Sequence, residues 1–259
     1  MKKTMCVLIA VLLMASLFAG CGKPTASQSD QSAGGIETQV PAAGSSTVAE
    51  SYSAYLEAKN ALLTKLTDGL SNNPDTAMAA LSFFGITMVD VAALPVSFFG
   101  AGQQAAEIGL SVIGITGVKY TENGNSYTVS YSDEENNAYV FSGTYDPAAD
   151  ALTCTATKNG TESISMEYRK TAFGYAGQYY MLNDDGTAEI YMIAVAGENG
   201  TIGISSATEK PAALTGSEAA DFPKACDEWY SIQGATITGK TSDGAEISFE
   251  YTPSESESN

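Results

Sequence analysis

The chain has 259 residues, with thirty acidic residues against twelve basic ones and no histidine, so its formal net charge at pH 7 is −18. Such an acidic surface repels nucleic acid and anionic lipid head groups, and we expect no nucleic-acid partner and no membrane attachment through a basic patch. The absence of histidine excludes His-based catalytic triads and the common zinc sites.

The first twenty residues have the composition of a secretory signal peptide. Lys2 and Lys3 give a positive start, residues 5–18 are apolar, and two small residues follow at positions 19 and 20. The apolar run is too short to span a hydrocarbon core of about 30 Å comfortably. Cleavage after Gly20 would leave ten basic residues against thirty acidic ones, a net charge of −20.

Residues 17–21, Leu-Phe-Ala-Gly-Cys, resemble the lipobox of bacterial lipoproteins, with Phe18 where Leu is usual. The resemblance implies that Cys21 is lipidated and anchors the protein to the extracytoplasmic face of the cell membrane. The alternative is a cysteine that merely follows a cleaved signal. Cys21 is not followed by Asp, and Lys23 and Pro24 begin a Ser-rich stretch, which is similar to Gram-positive lipoproteins. The composition of the stretch up to residue 46 predicts a flexible tether.

A helix is predicted from Thr47 onward, because Thr47 and Glu50 have the spacing of a capping box. Helical spacing places one apolar face on this segment: Tyr52, Tyr55, Leu56, Leu62, Leu63, Leu66 and Leu70. We expect the opposite face, which includes Lys59, to lie in water.

The stretch from Pro74 to Gly117 is the most apolar part of the chain after the signal. We predict a second helix that starts after Asn73 and ends near Pro95, and a third over residues 103–113. Asp90 is the only ionisable residue between positions 76 and 106. We expect it to cap or bridge a helix break, with a buried functional carboxylate as the alternative. A transmembrane hairpin is the competing interpretation of the whole stretch.

The period of the apolar residues changes to two after Val118, which is typical of strands. Tyr127 and Val129, for example, alternate with Ser126 and Thr128. Turn signals such as Asn-Gly at residues 159–160 and Asp-Gly at 243–244 separate the runs. Residues 210–229 interrupt the pattern, and we predict a short helix near residues 217–225.

These patterns predict an α+β fold: N-terminal helices at residues 47–116 packed under a curved, mostly antiparallel meander of about ten strands at 118–251, a half-barrel or barrel-like sheet. The predicted organisation is a signal peptide (1–20), a lipidated cysteine and tether (21–46), one domain (47–253) and a disordered tail (254–259). The architecture resembles half-barrel lipid-carrier lipoproteins and lipocalin-like exported domains. The hairpin at residues 179–188 is similar to hairpins of the second group.

Two cysteines remain in the predicted domain. Outside the cytoplasm, Cys154 and Cys226 could form a disulfide. Cys154 shares a strand face with Leu152 and Ala156, so it is expected to face the core. Two buried free thiols are therefore the alternative to a disulfide.

No residue pattern indicates a reaction, so we predict no catalytic residue, no cofactor and no metal site, and a non-enzymatic role. If the sheet encloses a cavity, an apolar or amphipathic ligand would be held by aromatic side chains: Tyr127, Tyr131, Tyr139, Phe141, Tyr145, Tyr168, Tyr175 and Tyr179. The alternatives are a non-catalytic module that contacts envelope proteins and a His-free hydrolase with two inward carboxylates. The membrane is the expected partner, through the N-terminal lipid.

Overall fold

A computed structural model describes residues 47–183 and 185–252. Their helical part comes first along the chain. It consists of three α-helices, α1 (Val48–Asn72), α2 (Phe84–Ala92) and α3 (Gln103–Ser111), with short 3-10 helices at Ala79–Phe83 and Leu94–Phe98. Another 3-10 helix, Phe222–Ala225, interrupts the strands later.

Eleven strands form one antiparallel sheet, and each pairs with its neighbours in the chain, so β1 and β11 are the two edges. The strands are β1 (Thr116–Asn123), β2 (Ser126–Ser132), β3 (Ala138–Asp146), β4 (Ala151–Lys158), β5 (Thr161–Lys170), β6 (Tyr175–Leu182), β7 (Ala188–Ala196), β8 (Asn199–Ala207), β9 (Glu228–Gln233), β10 (Thr236–Lys240) and β11 (Glu246–Glu250). The protein is thus a mixed α+β fold with an up-and-down sheet. The sheet is not closed, because β1 and β11 do not pair.

One face of the sheet, called here the helix face, packs against α1. The helix runs across the strands: Ser51, near its start, lies 2.7 Å from the hydroxyl of Tyr168 in β5. Near its end, a Cβ on Gly69 would collide with Ile237 of β10. Glycine at position 69 therefore lets the helix lie close against the sheet.

Residues 79–111, called here the return segment, run back across the same face. Phe83 makes an edge-to-face contact with Tyr230 of β9, with ring centroids 5.4 Å apart. Phe99, further along, stacks on Tyr127 of β2 at 5.5 Å. The two helical rows and the side chains of the helix face form one buried core. The other face of the sheet is called here the open face.

The capping box predicted at Thr47 is confirmed: the Glu50 carboxylate accepts from the Thr47 amide at 2.9 Å, and the Thr47 hydroxyl accepts from the Glu50 amide. The predicted second helix is split, because residues 74–78 form turns and Pro95 lies at the start of a 3-10 helix. The strand count is eleven rather than about ten, since β9 begins within the stretch taken as irregular. The predicted short helix is reduced to Phe222–Ala225.

The apolar stretch between Pro74 and Gly117 lies against the sheet, where Ile86, Val89 and Phe99 are buried. Within the described ranges, no helix is both long and apolar enough to cross a bilayer. The signal peptide, Cys21, the tether and the tail fall on residues outside the described ranges.

Candidate functional site

The aromatic side chains predicted to line a cavity lie in or beside the core of the helix face. Five of them are buried: Tyr127, Phe141, Tyr145, Tyr168 and Tyr179. The other three, Tyr131, Tyr139 and Tyr175, are half-buried and pack against the same core. Tyr168, for example, stacks on Tyr55 of α1 at a centroid distance of 4.5 Å. Helical side chains therefore occupy the space in which a ligand was expected at these residues.

The prediction that Lys59 faces water is wrong. Its side chain is fully buried under the sheet and forms an ion pair with Asp90 of α2. The Lys59 ammonium also lies 3.4 Å from the Tyr179 hydroxyl and 5.2 Å from the centre of that ring. Asp90 thus pairs with a lysine on another helix instead of capping a helix break.

Burial dominates the electrostatics of this pair. Desolvation lowers the pKa of Lys59, and the attraction of Asp90 opposes that shift. Burial also raises the pKa of Tyr179, so its hydroxyl stays protonated. Helices and sheet enclose the lysine, so the pair links α1 to α2 inside the core and its ammonium is closed off from solvent.

The open face of β2–β6 carries two rows of polar side chains that run across the strands. Antiparallel pairing aligns Thr128 with Ser142, Ser142 with Thr155, Thr155 with Ser165, and Ser165 with Tyr180. The same pairing forms a second row: Ser126, Thr144, Thr153, Glu167 and Gln178. Neighbouring strands lie about 4.8 Å apart, so each row repeats its polar groups at that spacing.

The rows become more buried towards β6, because residues 208–214 cross the open face there. Gln178 Nε2 donates to the carbonyl oxygen of Ala212 at 2.9 Å and to Glu167 Oε2 at 3.0 Å. The Leu214 amide donates to the same carboxylate oxygen at 3.0 Å. Lys210, which belongs to the same wall, forms an ion pair with Glu162 at 2.7 Å.

The rows and the wall border an open groove with a volume of about 530 Å³. It is called here the open-face groove, and its lining combines the hydroxyls of both rows with the Tyr180 ring and wall residues Lys210, Pro211 and Ala213. Glu167 and Lys210 are the charged residues of the lining, one of each sign. The groove is thus nearly neutral in a strongly acidic protein.

The lining favours binding over chemistry. Each hydroxyl can donate one hydrogen bond and accept two, so the rows suit a ligand that presents many neutral donors and acceptors. In the part of the chain that the structure describes, no three His, Cys, Asp or Glu residues come together as a metal site.

The disulfide considered for Cys154 and Cys226 is not formed, because both thiols are free and buried. Cys154 belongs to the core of the helix face. Cys226 approaches Gly203 of β8 beside the 3-10 helix at Phe222–Ala225. The structure thus has two unpaired thiols in different places, one in the helix-face core and one beside β8.

Comparison with known proteins gives no relative: no family model, no curated protein and no solved structure matches the chain.

Proposed function

We propose that the protein is a membrane-anchored, extracytoplasmic binding lipoprotein that holds a neutral glycan chain in its open-face groove. The observation that carries this proposal is the pair of in-register polar rows on β2–β6, ending at Tyr180 and Gln178 under a hydrogen-bonded wall.

The chemistry of the lining matches a polyhydroxylated ligand. A sugar hydroxyl both donates and accepts, as do the Ser and Thr hydroxyls, so each contact can be satisfied without a charge. The ring of Tyr180 is half-buried and offers an apolar surface to the C–H face of a sugar. The groove runs across several strands, so it suits an extended chain.

A binding role fits the lining better than hydrolysis. Glycoside hydrolysis uses two carboxyl groups on opposite sides of the scissile bond. Glu167 is the carboxylate of the lining, and its Oε2 already accepts from Gln178 and Leu214. That carboxylate holds the wall in place, so we propose no catalytic step.

The location completes the proposal. Lipidation of Cys21 would hold the domain outside the membrane, where cell-wall and other envelope glycans are present. We further propose that the sheet bends around its helices as a half-barrel, because α1 contacts strands from β5 to β10. Bending would place the helices inside and the groove outside.

Calorimetric titration of the lipidated protein in phosphatidylcholine nanodiscs tests the function. We expect cellotetraose or chitotetraose to bind with a Kd of about 0.1–1 mM, a free energy near −5 kcal/mol, and an anionic oligogalacturonate to bind much more weakly because of the acidic surface. Stronger binding of the anionic chain, or no binding of either neutral chain, would leave the envelope interaction module as the better interpretation.

A further inference from the structure

The return segment, together with Met78 directly before it, exposes an apolar surface that the core does not use. Met78, Leu81, Phe84 and Met88, called here the apolar stripe, recur at helical spacing and are 77%, 63%, 58% and 40% exposed. Their neighbours Phe83, Ile86 and Val89 are buried against the sheet, so the stripe points away from it. Ile108 of α3 and Val112, the residue that follows this helix, are also more than half exposed. Exposed large apolar side chains grouped along one segment, as in the stripe, are typical of an interaction site.

The stripe is also free of net charge. Between residues 76 and 106 the only ionisable side chain is Asp90, and the buried ammonium of Lys59 neutralises it. The remaining residues of the stretch are Ala, Gly, Ser, Thr, Gln, Pro and large apolar side chains. The whole protein carries a large negative charge, so an uncharged surface such as this stripe can approach a lipid layer with little charge repulsion.

The chain enters the domain on this same side. α1 begins at Val48, and a Cβ on Gly100, just past the 3-10 helix of the return segment, would collide with the Val48 side chain. Residues 22–46 separate Thr47 from Cys21. A fully extended chain of this length would place the two residues at most about 90 Å apart. A domain tethered this way has an effective concentration near its membrane in the millimolar range, so even weak contact is occupied.

We propose that the apolar stripe docks on the lipid surface to which Cys21 attaches the protein. This inference rests on the lipid anchor of the proposed function. Met, Leu and Phe side chains would enter the boundary between head groups and acyl chains, as the apolar face of an interfacial helix does. The open-face groove lies on the opposite side of the sheet, so docking turns the groove away from the membrane. The orientation presents the groove to ligands in the cell envelope.

Methionine oxidation measures the docking with natural reporters. The lipidated protein on phosphatidylcholine vesicles is treated with hydrogen peroxide, and the same protein is treated after release at a specific protease site inserted within residues 22–46. We expect oxidation of Met78 and Met88 to be at least about fivefold slower on vesicles, because lipid covers the thioethers. Met192, half-buried on the open face, serves as the internal reference and should be unchanged.

A pair of variants sharpens the test. Leu81→Ser together with Phe84→Ser should restore fast oxidation of Met88 on vesicles, whereas Val140→Ser on the open face should leave the protection intact. Equal oxidation of Met78 with and without vesicles would overturn the inference. The inference would also be overturned if oxidation of Met78 and Met88 in the released domain became slower as the protein concentration rises. That result would assign the stripe to contact with a second copy of the chain. The mass of the N-terminal peptide shows whether Cys21 carries acyl chains. A peptide without acyl chains would mean that the anchor of the proposed function fails, which is a separate result from failure of the docking.

Discussion

The Lys59 ammonium on α1 pairs with the Asp90 carboxylate on α2 beneath the sheet, where the Lys59 side chain is inaccessible to water and that of Asp90 is 22% exposed. The pair joins the two helical rows of the helix face. Neutralising either charge alone would leave the other without its partner in a desolvated site.

We predict that Asp90→Asn lowers the free energy of unfolding by about 3–5 kcal/mol, because it leaves the Lys59 ammonium buried and uncompensated. The double variant Lys59→Met with Asp90→Asn should recover most of this loss, since an apolar side chain of similar volume needs no charge partner. Urea denaturation measures both effects.

Lys65 provides the matched control. It pairs with Glu198 at 3.2 Å, but the side chain of Glu198 is 91% exposed. Lys65→Met should therefore change the free energy of unfolding by at most about 1 kcal/mol. A loss for Asp90→Asn no larger than that of Lys65→Met would show that the buried pair does not hold the helices together.

The pH dependence of stability follows from Lys59. Burial lowers its pKa, so between the lowered value and the ordinary value of lysine the unfolded chain binds more protons than the folded one. Stability attributable to this group must then rise with pH across that window. Removing the attraction of Asp90 lowers the pKa of Lys59 further. The urea midpoint of Asp90→Asn should therefore rise with pH between about pH 6 and pH 9. This rise should be steeper than in the double variant Lys59→Met with Asp90→Asn, which has no titrating lysine at this site. Parallel pH profiles would contradict this assignment.

Thiol reactivity tests the two cysteines. Burial raises the pKa of Cys154 to about 12 and also raises the pKa of Cys226. At about pH 8 we expect a thiol reagent to react with the folded protein at least about a hundredfold more slowly than with the urea-unfolded protein. In urea, both cysteines should react with the reagent. Failure to titrate two thiols in urea without a reductant would indicate a disulfide instead.

The wall of the groove depends on Glu167. We predict that Glu167→Ala costs about 1–3 kcal/mol, because Gln178 and the Leu214 amide lose a shared acceptor. Hydrogen exchange at Leu214 should become at least about tenfold faster. The control Glu162→Ala removes the ion-pair partner of Lys210 but no acceptor of the Leu214 amide, and it should leave that amide protected. Unchanged exchange in Glu167→Ala would mean that other contacts hold the wall.

Much of the helix face could be predicted from the sequence, and its main error has a physical explanation. Lys59 follows Tyr55 by four residues and precedes Leu62 by three, so its spacing belongs to the buried stripe. Its charge, in contrast, favours a position in water. A lysine within an apolar helix face and a lone aspartate within an apolar segment are each costly to bury, and pairing them offsets part of that cost.

The open-face groove could be predicted only in part. Alternation of Ser and Thr with apolar residues identifies a polar face on β2–β5, but the rows exist because four successive hairpins keep their register. The wall comes from residues 208–214, which have no period and are placed by hydrogen bonds to Glu167 and Gln178. Local sequence patterns do not encode such distant contacts.

The most direct test of the account compares two threonines on one strand. Thr155 lines the open-face groove, whereas Thr157 lies two residues further along the same face of β4 and outside the lining. Both Thr→Val substitutions keep a β-branched side chain and remove one hydroxyl. The nanodisc-bound protein is titrated with cellotetraose or chitotetraose, whichever binds the unaltered protein. Thr155→Val should weaken binding about fivefold or more, which is the loss expected for one hydrogen bond. Thr157→Val should leave the affinity unchanged. Equal affinities of the two variants would contradict a glycan site in this groove.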